Sequence, residues 1–148
     1  MNLNNKLSVM EYRQRLANNL VSESEAYGYT LSIWGAGTLL INAFGSPGVA
    51  PVFLFIVGAL AAFVTLALIA FNKPFKSVEP RGERRLGAAS FIHIVATLGN
   101  LLAAKVLLLL LLRSDVGLDI SALLIGYQAT IMYNLLLLLE SRAVQFLE

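Results

Sequence analysis

The sequence predicts an all-α membrane protein with four transmembrane helices arranged as two helical hairpins, preceded by a short amphipathic N-terminal helix. Of its 148 residues, 57% are hydrophobic and only 14% are charged, whereas soluble domains carry roughly 25% charged residues. The mean hydropathy is +0.73. A soluble domain of this size cannot bury so much apolar surface, so lipid must cover part of it.

The four predicted spans are separated by short polar stretches, and each is long enough to cross a bilayer. They cover residues 26–44, 51–71, 87–112 and 120–139. A helix needs roughly 20 residues to cross a hydrocarbon core about 30 Å thick. Turn residues at 45–48 and a short polar stretch at 113–119 predict the two hairpin connections. With the tail, residues 26–148 form one transmembrane domain.

Residues 1–25 are polar, with apolar residues recurring at helical spacing. Ser8 followed by Glu11 matches a capping box and predicts that a helix starts there. With Arg13 and Arg15, this amphipathic helix could lie on an anionic membrane surface. The interpretation that we favour is a cytosolic helix packed on its own bundle. The segment lacks an apolar centre, so we do not expect a cleaved signal peptide.

Small residues predict how the first two spans pack. One helical face of the first span, the least apolar of the four, contains Ser24, Gly28, Ser32, Gly35, Leu39 and Asn42. The second span has a small-xxx-small pair, Gly58 and Ala62. In lipid, small side chains let helices approach closely. We therefore expect the first span to lie inside the protein.

Basic residues are concentrated on one side of the predicted spans. The N-terminal segment has three, the tail has Arg142, and the loop 72–86 has Lys73, Lys76, Arg81, Arg84 and Arg85. The opposite side has only Arg113. The positive-inside rule therefore places both termini and the loop in the cytoplasm, with the spans in the plasma membrane. The loop is expected to contact lipid headgroups, and the alternative is docking of a protein partner.

The third and fourth spans carry polar faces that we expect to meet. At about 100° per residue, His93 and Asn100 lie on one side of the third span with small residues. The fourth span has its own polar face, formed by Tyr127, Thr130 and Asn134. We expect Asn100 to hydrogen-bond Asn134 or Tyr133, worth about 0.6 to 2 kcal/mol. These residues act either as glue between helices, which we favour, or as the polar lining of a path.

The short last turn predicts which residues of the second hairpin lie at equal depth. Pairing outward from Val116 places His93 beside Glu140 and Lys105 beside Gln128. A pair of His93 and Glu140 would titrate near neutral pH and gate an activity. The interpretation that we favour is a neutral imidazole, hydrogen-bonded near the cytosolic interface.

Lys105 is the one lysine within a predicted span. It shares a helical face with Ile94, Leu98, Leu101, Leu109 and Leu112, not with His93 and Asn100. A charge at the bilayer centre costs about 2.5 to 3.5 kcal/mol on insertion scales. Its long stem allows it to snorkel outward. Alternatively it lies in a subunit interface or water-filled cavity, where it attracts an anion or pairs with Gln128, Asp115 or Asp119.

The sequence offers little for catalysis. It has no cysteine and one histidine, and neither an HExxH, a GxSxG nor a phosphate-loop motif occurs. Serine and threonine within the spans have no base partner other than His93. A net charge of +2 gives no indication of nucleic-acid binding. We expect no enzymatic activity, cofactor, metal or nucleic-acid partner.

Three function classes remain. The first choice is a homo-oligomeric channel or pore, with its path between subunits because four packed helices leave little room inside. Its candidate lining residues are His93, Asn100, Lys105, Tyr127, Gln128 and Asn134. The alternative is a non-catalytic accessory or regulatory subunit, or a membrane-acting effector, that binds a partner through the basic loop. A small secondary transporter ranks third because no carboxylate lies deep in a span.

Overall fold

The structure of the protein, a computed structural model, describes the backbone of residues 3–71 and 86–146 and most side chains of residues 27–70 and 93–139. In these ranges the chain forms four α-helices and no strand: α1 (Leu3–Phe44), α2 (Val49–Phe71), α3 (Leu86–Arg113) and α4 (Leu118–Phe146). Three of them contain stretches long and apolar enough to cross a membrane: Val49–Ala70, His93–Arg113 and Leu118–Leu139. The all-α class is confirmed, and the chain is a helical membrane protein.

The first helix differs from the prediction. It begins at Leu3, ahead of Ser8, and continues to Phe44, so the N-terminal segment and the predicted span 26–44 form one helix. No glycine or proline precedes Gly28 in this segment, so nothing there ends a helix. The range 26–44 is also not among the apolar stretches found in the described residues, because its serine, threonine, tyrosine and asparagine residues lower its hydropathy.

The main interfaces join helices from different predicted hairpins. α1 packs along α3, α2 packs along α4, and α4 also contacts α1 and α3. Gly28 lies beside Thr97, and Gly35 lies beside Leu101, so α1 and α3 run parallel. The main packing partner of α2 is therefore α4, and not α1, to which the turn connects it. α4 is the central helix of the bundle.

The apolar core lies in the half of the bundle near the two turns. It contains Ala36, Leu40, Ala104, Leu108, Leu111, Ala122, Ile125 and Ala129, from α1, α3 and α4. Half of these residues are alanine, whose small side chain allows close helix approach in lipid. The larger polar side chains lie in the other half, further from the turns.

Both connections use a residue with positive φ to end the preceding helix. Gly45 has a φ of 83° and its amide donates to the Ile41 carbonyl at 2.8 Å. Asp115 has a φ of 53°, and the Val116 amide donates to the Leu111 carbonyl at 3.0 Å. These bonds satisfy carbonyl groups that the end of a helix leaves unpaired.

Candidate functional site

A chain of polar side chains, the polar seam, lies between α1, α3 and α4. It comprises Tyr29, His93, Thr97, Asn100, Gln128, Thr130 and Tyr133. In a low-dielectric interior each of these groups needs a hydrogen-bond partner. The seam therefore contains the buried polar groups that are candidates for both a structural and a functional role.

One end of the seam joins three helices at His93. The His93 ring, 4% exposed, shares a hydrogen bond of 3.1 Å between its Nδ1 and the Tyr133 Oη. The Thr97 hydroxyl lies within bonding distance of two carbonyls, that of Gly28 at 3.1 Å and that of His93 at 2.7 Å. A Cβ on Gly28 would collide with the Tyr133 hydroxyl. Glycine at position 28 is thus what allows Tyr133 to reach between α1 and α3.

The middle of the seam is centred on Asn100, which is 1% exposed. Its Nδ2 donates to the Ala129 carbonyl at 2.8 Å, and its Oδ1 accepts from the Gln128 Nε2 at 3.0 Å. Both partners lie on α4, so the carboxamide uses a donor and an acceptor to tie α3 to α4. This is the geometry of interhelical glue in a membrane protein.

Tyr29 extends the seam onto α1. Its hydroxyl shares a hydrogen bond of 2.9 Å with the Thr130 Oγ1. Its ring packs on the rings of Tyr133 and Phe63, with centroids 5.6 and 5.5 Å apart, a favourable separation for tilted aromatic pairs. The sequence did not single out Tyr29 or Thr97, and it indicated Tyr133 only as an alternative partner of Asn100. The placement of Thr97 four residues after His93 was the signal for its position on the buried face of α3.

The predicted contact between Asn100 and Asn134 is replaced by another. The polar faces of α3 and α4 do meet, but Asn100 pairs with Gln128 and not with Asn134, whose Nδ2 donates to the Thr130 carbonyl of its own helix. His93 contacts Tyr133. The side chain of Glu140, its predicted partner, lies outside the described residues. Pairing outward from Val116 assumed straight helices at constant separation. The observed partners lie closer to the turn on α4, as expected for helices that cross.

The remaining predicted site residues lie elsewhere. Tyr127 donates to the Thr65 hydroxyl at 3.2 Å and so connects α4 to α2. Lys105 lies on the outer surface of α3, exposed, and not in the seam. Its expected partner Gln128 is bonded to Asn100. The basic side chains of the loop, Lys73, Lys76, Arg81, Arg84 and Arg85, lie outside the described residues.

Two side-chain atoms in the described interior have no hydrogen-bond partner, the Ser32 hydroxyl and the Gln128 Oε1. Ser32 is fully buried on the small face of α1. A buried polar atom without a partner costs about 1 to 3 kcal/mol. The seam is thus well satisfied at His93 and Asn100 and less so at these two atoms.

Among the described residues, apolar grooves open on the outside of the bundle at two places. The larger, about 280 Å³, runs between α1 and α3 and is lined by Tyr27, Leu31, Ile94 and Leu98 around His93. The other, about 200 Å³, lies beside the first turn between Leu40, Pro51 and Leu118. Both present mainly carbon atoms, as expected for surfaces that contact lipid. Neither has the convergent polar groups of a catalytic or substrate site.

No group of three His, Asp or Glu side chains capable of holding a metal ion occurs within the described residues. The polar side chains of His93, Asn100 and Tyr133 are instead bonded between helices, and these bonds hold the bundle together. The chain has no significant match among protein-family models, curated proteins or solved structures.

Proposed function

We propose that the protein is a non-catalytic membrane subunit that acts by associating with other transmembrane helices through the outer face of α3. One observation carries the proposal: Lys105 is exposed on that face. It is the only Lys, Arg, Asp or Glu within residues 49–70, 93–112 and 120–139. Intramembrane ionisable residues are rare, and where they occur they usually face protein or water rather than lipid.

The energetic argument concerns what surrounds the ammonium group. A charge facing hydrocarbon costs about 2.5 to 3.5 kcal/mol at the membrane centre and less toward the interface. A helix that only anchors a protein avoids this cost with leucine, as α3 does at its neighbouring outer positions. A packing partner that excludes lipid and offers a polar group to Lys105 offsets the cost.

The interior of the bundle supports the same proposal. The polar groups of His93, Asn100 and Tyr133 are used in bonds within one chain, so they hold the helices rather than line a path. The bundle then serves as a rigid support that presents its outer face to a partner.

The proposed membrane arrangement has four crossings, with the C-terminal half of α1 as the additional one. α1 runs parallel to α3 from Gly28 onward and contributes Ala36 and Leu40 to the shared core, and this packing supports a fourth crossing at the depth of α3. Both termini and the basic loop lie in the cytoplasm, and the membrane is the plasma membrane. The distribution of basic residues supports this orientation.

Cysteine labelling tests the orientation. Because the sequence contains no cysteine, only the introduced residue can be labelled. A Ser46→Cys variant should react with a membrane-impermeant maleimide in intact cells. A Ser22→Cys variant should react only after permeabilisation. The reverse pattern, or labelling of both from outside, contradicts the arrangement.

Photo-crosslinking tests the proposed association. A photoreactive amino acid at Leu102, 67% exposed on the outer face of α3, should give a discrete protein product in membranes of the source cells. The same group at Val64, 59% exposed on α2, is the matched control and should give none. Lys105→Met should remove the Leu102 product. Equal products from both positions, or none from Leu102, contradict the proposal.

A homo-oligomeric pore is the second candidate, favoured by the same exposed Lys105, which would line a water-filled path between subunits. Purified protein in liposomes should then carry an anion flux that Lys105→Met reduces. A subunit that needs a partner should carry none. Docking through the basic loop makes a different prediction: neutralising Arg81, Arg84 and Arg85 should abolish association while Lys105→Met does not.

A further inference from the structure

One face of α3 has the spacing of a helix-packing surface but is uncovered in the single chain. This outer stripe consists of Val95, Leu98, Leu102, Lys105, Leu109 and Leu112. All six residues are exposed, and the exposed fraction of the five apolar ones ranges from 40% at Leu112 to 67% at Leu102. We infer that the outer stripe binds a transmembrane helix of another protein, and that this helix carries a carboxylate at the depth of Lys105. The inference rests on the proposed function and names the chemistry of its partner.

The spacing of the outer stripe matches one side of a left-handed helix pair. Its positions alternate steps of three and four residues, the pattern by which two helices keep one seam in contact. Membrane helices commonly cross at the small angle that this pattern produces. A single polar residue within such an apolar seam selects the partner and its register. Lys105 occupies that place in the stripe.

The depth of Lys105 argues for a partner within the membrane. It precedes Arg113, the last residue of α3, by eight positions, or roughly 12 Å at 1.5 Å per residue. Asp115 and Asp119, both exposed, lie beyond the end of α3 at the turn and the start of α4. Lipid phosphates lie in the headgroup layer, outside the hydrocarbon region. A carboxylate on a neighbouring helix therefore fits this depth better than a headgroup does.

A second copy of this chain does not supply the carboxylate. Residues 27–44, 49–70, 93–112 and 120–139 contain no Asp or Glu. Two copies packed in parallel through their outer stripes would bring Lys105 against Lys105, and like charges repel strongly where water is excluded. The complementary charge must come from a different protein.

A designed helix tests this chemistry directly. The probe is a synthetic leucine–alanine transmembrane helix with one Glu at the depth of Lys105, and its control carries Gln there. Association with the full chain, labelled at Ser46→Cys, is measured by energy transfer in vesicles of zwitterionic lipid. We expect the Glu helix to bind roughly 10-fold more tightly than the Gln helix. Lys105→Met should remove the difference, and Lys105→Glu should transfer the preference to a Lys-bearing helix.

The outcomes separate the inference from the proposed function. Equal binding of the Glu and Gln helices overturns the inference, even where Leu102 still cross-links to a partner and the proposed function stands. A Leu102 product that contains a second copy of the chain also overturns it. Loss of the Glu preference in vesicles of anionic lipid shows that Lys105 reaches headgroups and overturns it as well. If Leu102 gives no cross-link, both the inference and the proposed function are overturned.

Discussion

α4 is held in two different ways on its two sides. Toward α2 the contact is made through glycine: a Cβ on Gly58 would overlap the backbone of Leu123, and a Cβ on Gly126 would overlap the backbone of Phe55. Toward α3 the contact is made through hydrogen bonds, chiefly those of Asn100 and Tyr133. Apart from the Tyr127–Thr65 bond, the α2 side depends on the absence of side chains, and the α3 side depends on particular polar atoms.

This contrast between the two sides of α4 follows from the lipid that surrounds the helices. Between helices in lipid, burial of apolar side chains drives little association, since lipid tails are as apolar as leucine. Close backbone packing and interhelical hydrogen bonds supply the attraction instead. The glycine side is sensitive to added volume, and the seam is sensitive to lost bonding capacity. Substitutions can therefore be chosen to act on one side alone.

Added volume on the glycine side should have the largest effect. Gly126→Ala and Gly58→Ala each place a methyl group against backbone that cannot rotate away, and should lower the free energy of unfolding by about 1 to 3 kcal/mol. Gly37→Ala is the matched control, since nothing lies within 4 Å of its Cβ position. There alanine should raise stability by about 0.5 to 1 kcal/mol through helix propensity.

Denaturation in mixtures of mild detergent and dodecyl sulfate measures these changes. A Gly126→Ala variant as stable as Gly37→Ala would mean that α2 and α4 do not approach as closely as the glycines indicate.

Lost bonding capacity in the seam should have the next largest effect. Asn100→Leu keeps the branched shape of the side chain but removes the donor to Ala129 and the acceptor for Gln128, and should cost about 1 to 2 kcal/mol. Asn134→Leu is the matched control, because its amide bonds only to its own helix, and it should cost less than half as much. The same denaturation measurement ranks the two. Equal losses would show that Asn134 makes an interhelical contact of similar value.

The contrast also explains how much could be predicted from sequence. Hydropathy and turn residues placed three spans and both turns closely, because length and composition determine them. The helical wheel placed His93 and Asn100 on the packed face of α3. It could not give the partners of Asn100, because the crossing of α3 and α4 shifts which residues face each other. Nor does the pattern within one helix determine that α1 packs on α3 and α2 on α4.

Removal of a tyrosine hydroxyl should have a smaller effect on stability, and the effect should be larger at the aromatic end of the seam than on the exposed surface. Tyr133→Phe removes the hydroxyl that His93 contacts while keeping the ring that packs on Tyr29, and should cost about 1 kcal/mol. Tyr27→Phe, at an exposed position, should change stability by less than about 0.5 kcal/mol. Thermal denaturation in one detergent compares them. If Tyr133→Phe leaves stability unchanged, the stabilisation provided by the seam comes from Asn100 and not from the bond between His93 and Tyr133.

The smallest expected change in stability comes from removing the Ser32 hydroxyl. This variant tests whether every buried polar group stabilises the bundle. The Ser32 hydroxyl is buried without a hydrogen-bond partner among the described residues, so Ser32→Ala should leave stability unchanged or raise it by up to about 1 kcal/mol. Thr97→Val, which removes a hydroxyl placed between two carbonyls, should lower it. A loss at Ser32→Ala as large as at Thr97→Val would indicate a buried water bonded to Ser32, and the seam would then extend along the small face of α1.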